Sequence, residues 1–255
     1  TGKKIFVLLP FEESIYREAG IDVEFQGHPF IDIVPPDKSK KEAVKGLGLD
    51  PALKTIGILP GSRKMEVEKL FDTMLEASVK IKKEFPLCQF VIPVADTIDP
   101  EAILEKLGSN PLNIKVVHQK AYEVMYCSDF LIIASGSATL EAGILACPMV
   151  IVYKVGALTY SLFRHVVNVE HFGLVNIVAG KRIVPELLNQ EASPDNIARE
   201  ALRVLKDPAH QDRVKKDLLE VRRSLGRPGV VQRIASSICK SLNLSVGTPN
   251  EETSV

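Results

Sequence analysis

The sequence predicts an α/β protein built on a doubly wound parallel sheet, with further helices at its C-terminal end. Three observations predict it. Short, wholly apolar runs rich in β-branched residues, such as Phe130-Leu131-Ile132-Ile133, suit strands buried on both faces. Helical patterns alternate with these runs, the arrangement that gives right-handed βαβ crossovers. Two of the runs end in small-residue turns that open into helices, Pro60-Gly61-Ser62-Arg63 and Ala134-Ser135-Gly136-Ser137-Ala138-Thr139. Ligands of such sheets lie beyond the carboxyl ends of the strands, where both turns fall.

In order, residues 5–9 read as a strand, 12–19 as a short helix and 23–25 as a second strand ending at Gly27-His28-Pro29. Two strands and a helix close no core of their own, so residues 1–34 are expected to be the end of a preceding domain. His28 beside Gly and Pro is either a turn histidine or a residue facing a ligand cleft. Residues 35–54 open with Pro35-Pro36-Asp37-Lys38, polar and proline-stiffened, as a linker between domains would be.

The complete domain is expected over 55–192. Residues 55–59 form its first strand. The helix after Arg63 carries Val67, Leu70, Met74, Ala77, Ile81 and Phe85 on one stripe and stops at Pro86. A strand at 89–94, a helix at 99–107, a strand at 114–117 and a helix at 121–127 lead to the central strand 130–133. A helix from Ser137 to about Ala146 and a fifth strand at 149–153 follow. In 156–169, Leu158, Leu162, Val166 and Val169 stripe a helix among aromatic and basic residues, either packed on the sheet or forming a rim toward an acyl chain or membrane surface. Residues 181–186 read as a strand or turn followed by a short helix. Ser193-Pro194-Asp195 starts the C-terminal helices, 193–242, which Gly226-Arg227-Pro228-Gly229 interrupts. The polar tail 243–255 is expected to be disordered.

Composition limits the partners. The chain has 255 residues, 45% apolar and 25% charged, with 32 Lys plus Arg against 32 Asp plus Glu. A net charge of zero offers no bulk attraction to nucleic acid, so any anion site must be local. Cys88, Cys127, Cys147 and Cys239 form no C-x-x-C pair and meet no histidine at metal-ligand spacing, which reads as free thiols in a reducing, cytoplasmic compartment. No apolar run approaches the roughly 18 residues that span a bilayer, so membrane association would be peripheral. A strand pattern beginning at Ile5, with no signal peptide before it, suggests the later part of a longer protein.

The two turns carry the chemistry. At Gly136-Ser137-Ala138-Thr139 the N–H groups of a helix start face one spot above the sheet edge, a natural place for phosphate. Glu141, about one turn on, can accept hydrogen bonds from a ribose diol. A packed turn without a ligand is the alternative. Arg63 after Gly61-Ser62 adds a fixed charge able to grip phosphate in bidentate fashion, unless it pairs with Glu66. No Asp-x-Asp occurs, so no metal or cofactor is expected.

Taken together, Leu59-Pro60-Gly61-Ser62-Arg63 with Glu66, Ala134 through Glu141, Cys147-Pro148-Met149-Val150 with Tyr153-Lys154, Asn176 before Ala179-Gly180, and Val184-Pro185-Glu186-Leu187-Leu188 resemble lipid-A-disaccharide synthase. Leu9-Pro10-Phe11-Glu12 and Gly27-His28-Pro29 match as well. The resemblance runs from Ile5 to about Leu242 with the motifs in order; Val175 departs from it, replacing a proline before Asn176.

The resemblance implies a two-domain nucleotide-sugar glycosyltransferase of the type B fold, of which this chain holds the second Rossmann-like domain and a remnant of the first. Such an enzyme moves 2,3-diacylglucosamine from UDP-2,3-diacylglucosamine to 2,3-diacylglucosamine 1-phosphate, inverting the anomeric centre and releasing UDP. It implies that Arg63 and the backbone of Ser137, Ala138 and Thr139 hold the pyrophosphate, Glu141 the ribose, and Asn176 lines the donor cleft. By fold analogy His118 marks the uracil end. The general base belongs to the part of the first domain not present here, so no catalytic residue is assigned, and peripheral attachment to the cytoplasmic face of the inner membrane and a possible homodimer follow from the family. A UDP-sugar 2-epimerase, another UDP-sugar glycosyltransferase of this fold, or a UDP-binding module without turnover are the rival readings. The enzymes among these would share the pyrophosphate turn and the ribose glutamate but lack the Pro-Gly-Ser-Arg turn in this context.

Overall fold

The computed structural model describes residues 4–34, 39–108, 110–155 and 170–242. They fall into two compact units, one made of residues up to 33 together with those from 223 onward, the other of 34–222.

In the first unit, β1 (Ile5–Val7) and β2 (Val23–Phe25) pair in parallel around α1 (Glu12–Glu18), and α2 (Phe30–Ile33) follows. Glu12 Oε2 accepts the Leu8 and Leu9 N–H groups at 3.2 and 2.9 Å, which fixes the turn into α1. His28 is buried, its Nδ1 accepting the Phe30 N–H at 3.1 Å and its ring 4.5 Å from the Phe30 ring. It is a turn histidine, and burial pushes its pKa down.

The second unit begins with α3 (Lys40–Gly46), whose Ser39 and Glu42 form a reciprocal capping box. It buries Ala43 and Val44 and packs against the helix at Ala121–Cys127, so the stretch expected as linker contains a docked helix. The sheet helices and strands then alternate: β3 (Lys54–Leu59), α4 (Lys64–Glu84), β4 (Cys88–Val94), α5 (Pro100–Leu107), β5 (Ile114–His118), α6 (Ala121–Cys127), β6 (Phe130–Ala134), α7 (Ala138–Ile144) and β7 (Met149–Tyr153). After α8 (Leu174–Ala179) comes β8 (Glu186–Leu188), a sixth strand where the sequence read a strand or turn up to 186 and then a helix. Three residues are too few to show a period, and the pairing with β7 is what makes them a strand. α9 (Pro194–Leu205) and α10 (Pro208–Ser224) complete the unit, and α11 (Val230–Ser241) belongs to the first.

All six strands are parallel, in the order β5-β4-β3-β6-β7-β8. Alternation splits the core between two faces. Ile56, Ile58, Phe90, Ile92, Phe130, Ile132, Val150 and Val152 meet Leu70, Phe71, Met74 and Ile81 of α4 and Ile197, Ala201 and Val204 of α9. Val91, Leu131, Ile133 and Ile151 point the other way and are equally buried. The packing therefore places α9 in the sheet's own core, while the segment from Arg223 groups with the first unit. The break expected at 193 is not a packing boundary. In the first unit, Asp32 caps the start of α11, accepting the Gly229 and Val231 N–H groups at 2.6 and 3.0 Å. The aromatic helix expected at 156–169 and the tail from 243 lie outside the described residues.

Candidate nucleotide site

Strand order decides where a site can form. β3 lies between β4 and β6, so the chain winds outward on both sides of the β3–β6 pair, and the crevice at such a switch point is where ligands of this sheet type lie. Leu59 pairs with Ile133, which sets the turns that follow the two strands side by side.

There the structure has a cavity of about 510 Å³. Gly61, Ser62, Arg63, Gly136, Ser137, Ala138 and Glu141 line it, seven of the ten residues expected from sequence. Gly61 has φ +113°, and a Cβ there would sit 2.6 Å from Glu66 Oε2, so the turn needs glycine for both backbone and space. The Ser62 carbonyl accepts the Thr97 hydroxyl, tying this turn to the loop after β4.

On the second turn, the N–H groups of Gly136, Ser137 and Ala138 have no hydrogen-bond partner among the described residues. Thr139 does not share that role. Its N–H and its hydroxyl both bond the Gly136 carbonyl, at 3.2 and 2.8 Å, and the residue is wholly buried. The free donors thus sit one residue earlier than the backbone set 137–139.

Arg63 Nη1 lies 3.0 Å from Glu66 Oε1, with the arginine side chain 83% exposed. The alternative foreseen for Arg63 is the pairing observed, yet both side chains line the cavity, so the guanidinium is parked at its mouth. Glu141 is pushed above its ordinary pKa by burial, against a hydrogen bond from Ser137 that acts the other way. Burial, then the Glu141 charge, raises the neighbouring Tyr122 phenol.

Two expected residues stand elsewhere. His118 ends β5 with its side chain half exposed, Nε2 3.7 Å from Asp96 Oδ1, and does not line the cavity. Its successor Gln119 does, in a left-handed conformation with φ 55° and with its amide on Asp96. Asn176 does not line the cleft. It is fully buried, its Oδ1 accepting the Ile183 and Val184 N–H groups at 2.9 and 3.1 Å and its amide donating to the Val184 carbonyl at 2.9 Å. A polar residue inside an apolar helix gives no sign of which way it faces. Tyr122, Gln119 and Asp96 escaped the sequence reading because they lie on loops and a short helix without a motif; only their place just after β4 and β5 could have drawn notice. No cluster of three potential metal ligands and no helix long and apolar enough to cross a membrane occurs among the described residues.

The sequence profile of the family described as lipid-A-disaccharide synthetase matches residues 2–238. The chain belongs to that family. Among its relatives, the lipid-A-disaccharide synthase of Geobacter sulfurreducens is 39% identical over 243 residues, covering 95% of this chain and 63% of that protein. That of Anaeromyxobacter dehalogenans strain 2CP-C is 41% identical over 236 residues, 92% of this chain and 61% of the relative. The chain therefore spans a little over three fifths of the length of these members of the family. By structure it is similar to a UDP-GlcNAc 2-epimerase from Neisseria meningitidis bound to UDP-GlcNAc, with TM-score 0.67, 14% identity, and 92% of this chain and 61% of the other covered. It is also similar to the calicheamicin glycosyltransferase CalG4, with TM-score 0.55, 18% identity, 95% of this chain and 53% of the other. At those identities the likeness is one of fold, the one that glycosyltransferases and epimerases of this architecture share.

Proposed function

We propose that this chain provides the UDP-sugar half of a lipid-A-disaccharide synthase. The carrying observation is the meeting of two turns at the β3–β6 switch point, one with three free amides and one with a guanidinium, within a chain of this family. The diphosphate of UDP-2,3-diacylglucosamine sits on the amides of Gly136, Ser137 and Ala138 and takes Arg63 from Glu66. Its ribose hydroxyls donate to Glu141. As the bond to the sugar breaks, charge grows on the departing UDP, and fixed N–H donors aimed at that charge lower the barrier more than they favour the bound donor. The acceptor is 2,3-diacylglucosamine 1-phosphate, presented at the cytoplasmic face of the inner membrane, to which the enzyme attaches peripherally. A homodimer is compatible with this reading.

No general base is assigned here. Glu12 is engaged by two backbone amides and Asp32 caps a helix, so neither is free to take a proton from a sugar hydroxyl. The chain is therefore expected to bind UDP without turning over the glycosyl transfer by itself. Titration calorimetry with UDP, UMP and uridine tests the site. Affinity should fall in that order, and no heat of binding for UDP would overturn the proposal. Turnover assays with UDP-2,3-diacylglucosamine against UDP-N-acetylglucosamine, on this chain supplemented with the remainder of a relative, distinguish the synthase from an epimerase.

A further inference from the structure

Asn176 and Glu186 are both buried, and they hold each other. Glu186 opens β8, beside Ile151 of β7. Its Oε1 accepts the Gly173 N–H at 2.8 Å and the Asn176 amide at 2.9 Å, and its Oε2 accepts the Phe172 N–H at 3.3 Å. Among the described residues no lysine or arginine forms an ion pair with its carboxylate: Arg182 Nη2 donates to the Glu186 backbone carbonyl at 2.9 Å instead, and His171 Nδ1, 3.9 Å from Oε2, has no hydrogen-bond partner there. A carboxylate taken out of water needs such donors, and here two successive backbone amides supply them.

The segment so gripped is packed closely at Gly173, which leaves no space for a side chain there. A Cβ on Gly173 would lie 2.3 Å from Ile151 Cδ1 and 2.9 Å from Glu186 Oε1. At its other side the Phe172 carbonyl accepts the Ser135 hydroxyl at 3.1 Å. Ser135 lines the cavity and begins the turn bearing the free amides, and its own N–H donates to the Val152 carbonyl at 3.1 Å.

We infer that Glu186 is a positioning residue of the nucleotide site: it fastens residues 172–173 as a strap, and the strap holds Ser135 and so the amides of Gly136, Ser137 and Ala138. This rests on the reading of that turn as a diphosphate site. Asn176 belongs to the same device, joining the carboxylate to the 183–184 backbone, which explains a buried amide in a segment with no access to the cleft. Two oxygens accepting at once are what the arrangement uses, and glutamine supplies one of them.

The test compares Glu186→Gln, Glu186→Ala and Ser135→Ala in this chain by UDP calorimetry and by amide hydrogen exchange. In Glu186→Gln, one oxygen still serves Gly173 and Asn176, so Gly173 stays protected and the Kd for UDP rises by no more than about threefold. In Glu186→Ala, the Phe172 and Gly173 amides exchange about a hundredfold faster while β6 amides keep their protection, and the Kd rises about tenfold or more. Ser135→Ala cuts the link beyond the strap, weakening UDP severalfold with Gly173 still protected. Wild-type affinity in Ser135→Ala, or in a folded Glu186→Ala with Gly173 freed, overturns the inference. If β6 also loses protection in Glu186→Ala, the Ser135→Ala result decides. Should the unaltered chain bind no UDP, the functional reading itself fails, and the exchange data still show whether the carboxylate fastens the strap.

Discussion

Arg63→Ala puts the site to its most direct test, because the structure gives both sides of the exchange that binding requires. With no ligand the guanidinium holds Glu66 at 3.0 Å in an exposed pair, worth about 0.2 to 1 kcal/mol. Against a phosphate the same group makes charge-assisted bonds worth about 1.5 to 3 kcal/mol. Ligand binding trades the first for the second, a net of about 0.5 to 2.8 kcal/mol, and at about 1.4 kcal/mol per decade that is a loss of affinity centred near tenfold. Stability should change by less than about 1 kcal/mol, since the side chain is mostly in water. Calorimetry with UDP, beside a denaturation curve, reads both quantities. Glu66→Gln removes the competing partner and should tighten UDP by a few fold at most. Unchanged affinity in Arg63→Ala, or weaker binding in Glu66→Gln, refutes the exchange and leaves the Arg63–Glu66 pair as part of the helix start alone.

Three other outcomes follow from the packing and charge. Burial raises the Glu141 carboxyl above its ordinary pKa, so the folded chain binds that proton more tightly than the unfolded one and stability from this group falls as pH rises from the ordinary carboxylate range through the raised value. Glu141→Gln should therefore melt higher than the parent at neutral pH, with the gap closing as pH falls through that window, and should bind UDP less well; a gap that widens on acidification contradicts the sign. Gly57→Ala would set a Cβ 2.6 Å from Leu131 Cδ2 of β6 and 2.8 Å from Ser128 Oγ just after α6, an overpacking expected to cost about 1 to 3 kcal/mol in urea denaturation. Asp32→Ala leaves the Gly229 and Val231 amides unpaired, costing about 0.5 to 2 kcal/mol and speeding hydrogen exchange in the first turn of α11.

Much of the fold was legible because buried parallel strands announce themselves. Residues 130–133 and 149–153 are short, apolar and rich in β-branched residues, as a strand covered on both faces requires, and of the six apolar residues read on one stripe after Arg63 five are buried in a helix on that sheet while Phe85 caps its end. Seven residues of the cavity wall were legible as well, four of them, Gly61 and Gly136-Ser137-Ala138, because small residues mark a tight strand-to-helix turn. What sequence could not reveal is the facing of single polar residues. Asn176, Thr139 and His118 carry the atoms a ligand would want, but Asn176 and Thr139 turn inward to bond the backbone and His118 turns to Asp96. Nor could it show β8, three residues long, or the assignment of α9 to the sheet core, since both are fixed by neighbours distant in the chain.

The lining of the cavity narrows the kind of ligand further than its position does. Arg63 is the one cationic side chain on the wall among the described residues, against Glu66, Asp96 and Glu141. A site selected for anions in general would not be built so, because the carboxylates repel what the arginine attracts. Two of the three are occupied: Glu66 by Arg63 and Asp96 by the Gln119 amide. Glu141 keeps acceptor capacity, deep enough for burial to raise its pKa, while the open amides of Gly136, Ser137 and Ala138 lie one turn of chain before it. The wall thus offers donors at one end and an acceptor close by, and it asks for a ligand that is acceptor-rich at one point and carries hydroxyl donors beside it. A free phosphate satisfies only half of this, and a free sugar only the other half. A nucleotide satisfies both with one covalent skeleton, which is why UMP should outbind uridine here even though the net charge of the lining opposes it, and UDP should outbind UMP because its second phosphate brings further acceptor oxygens to the three amides and Arg63.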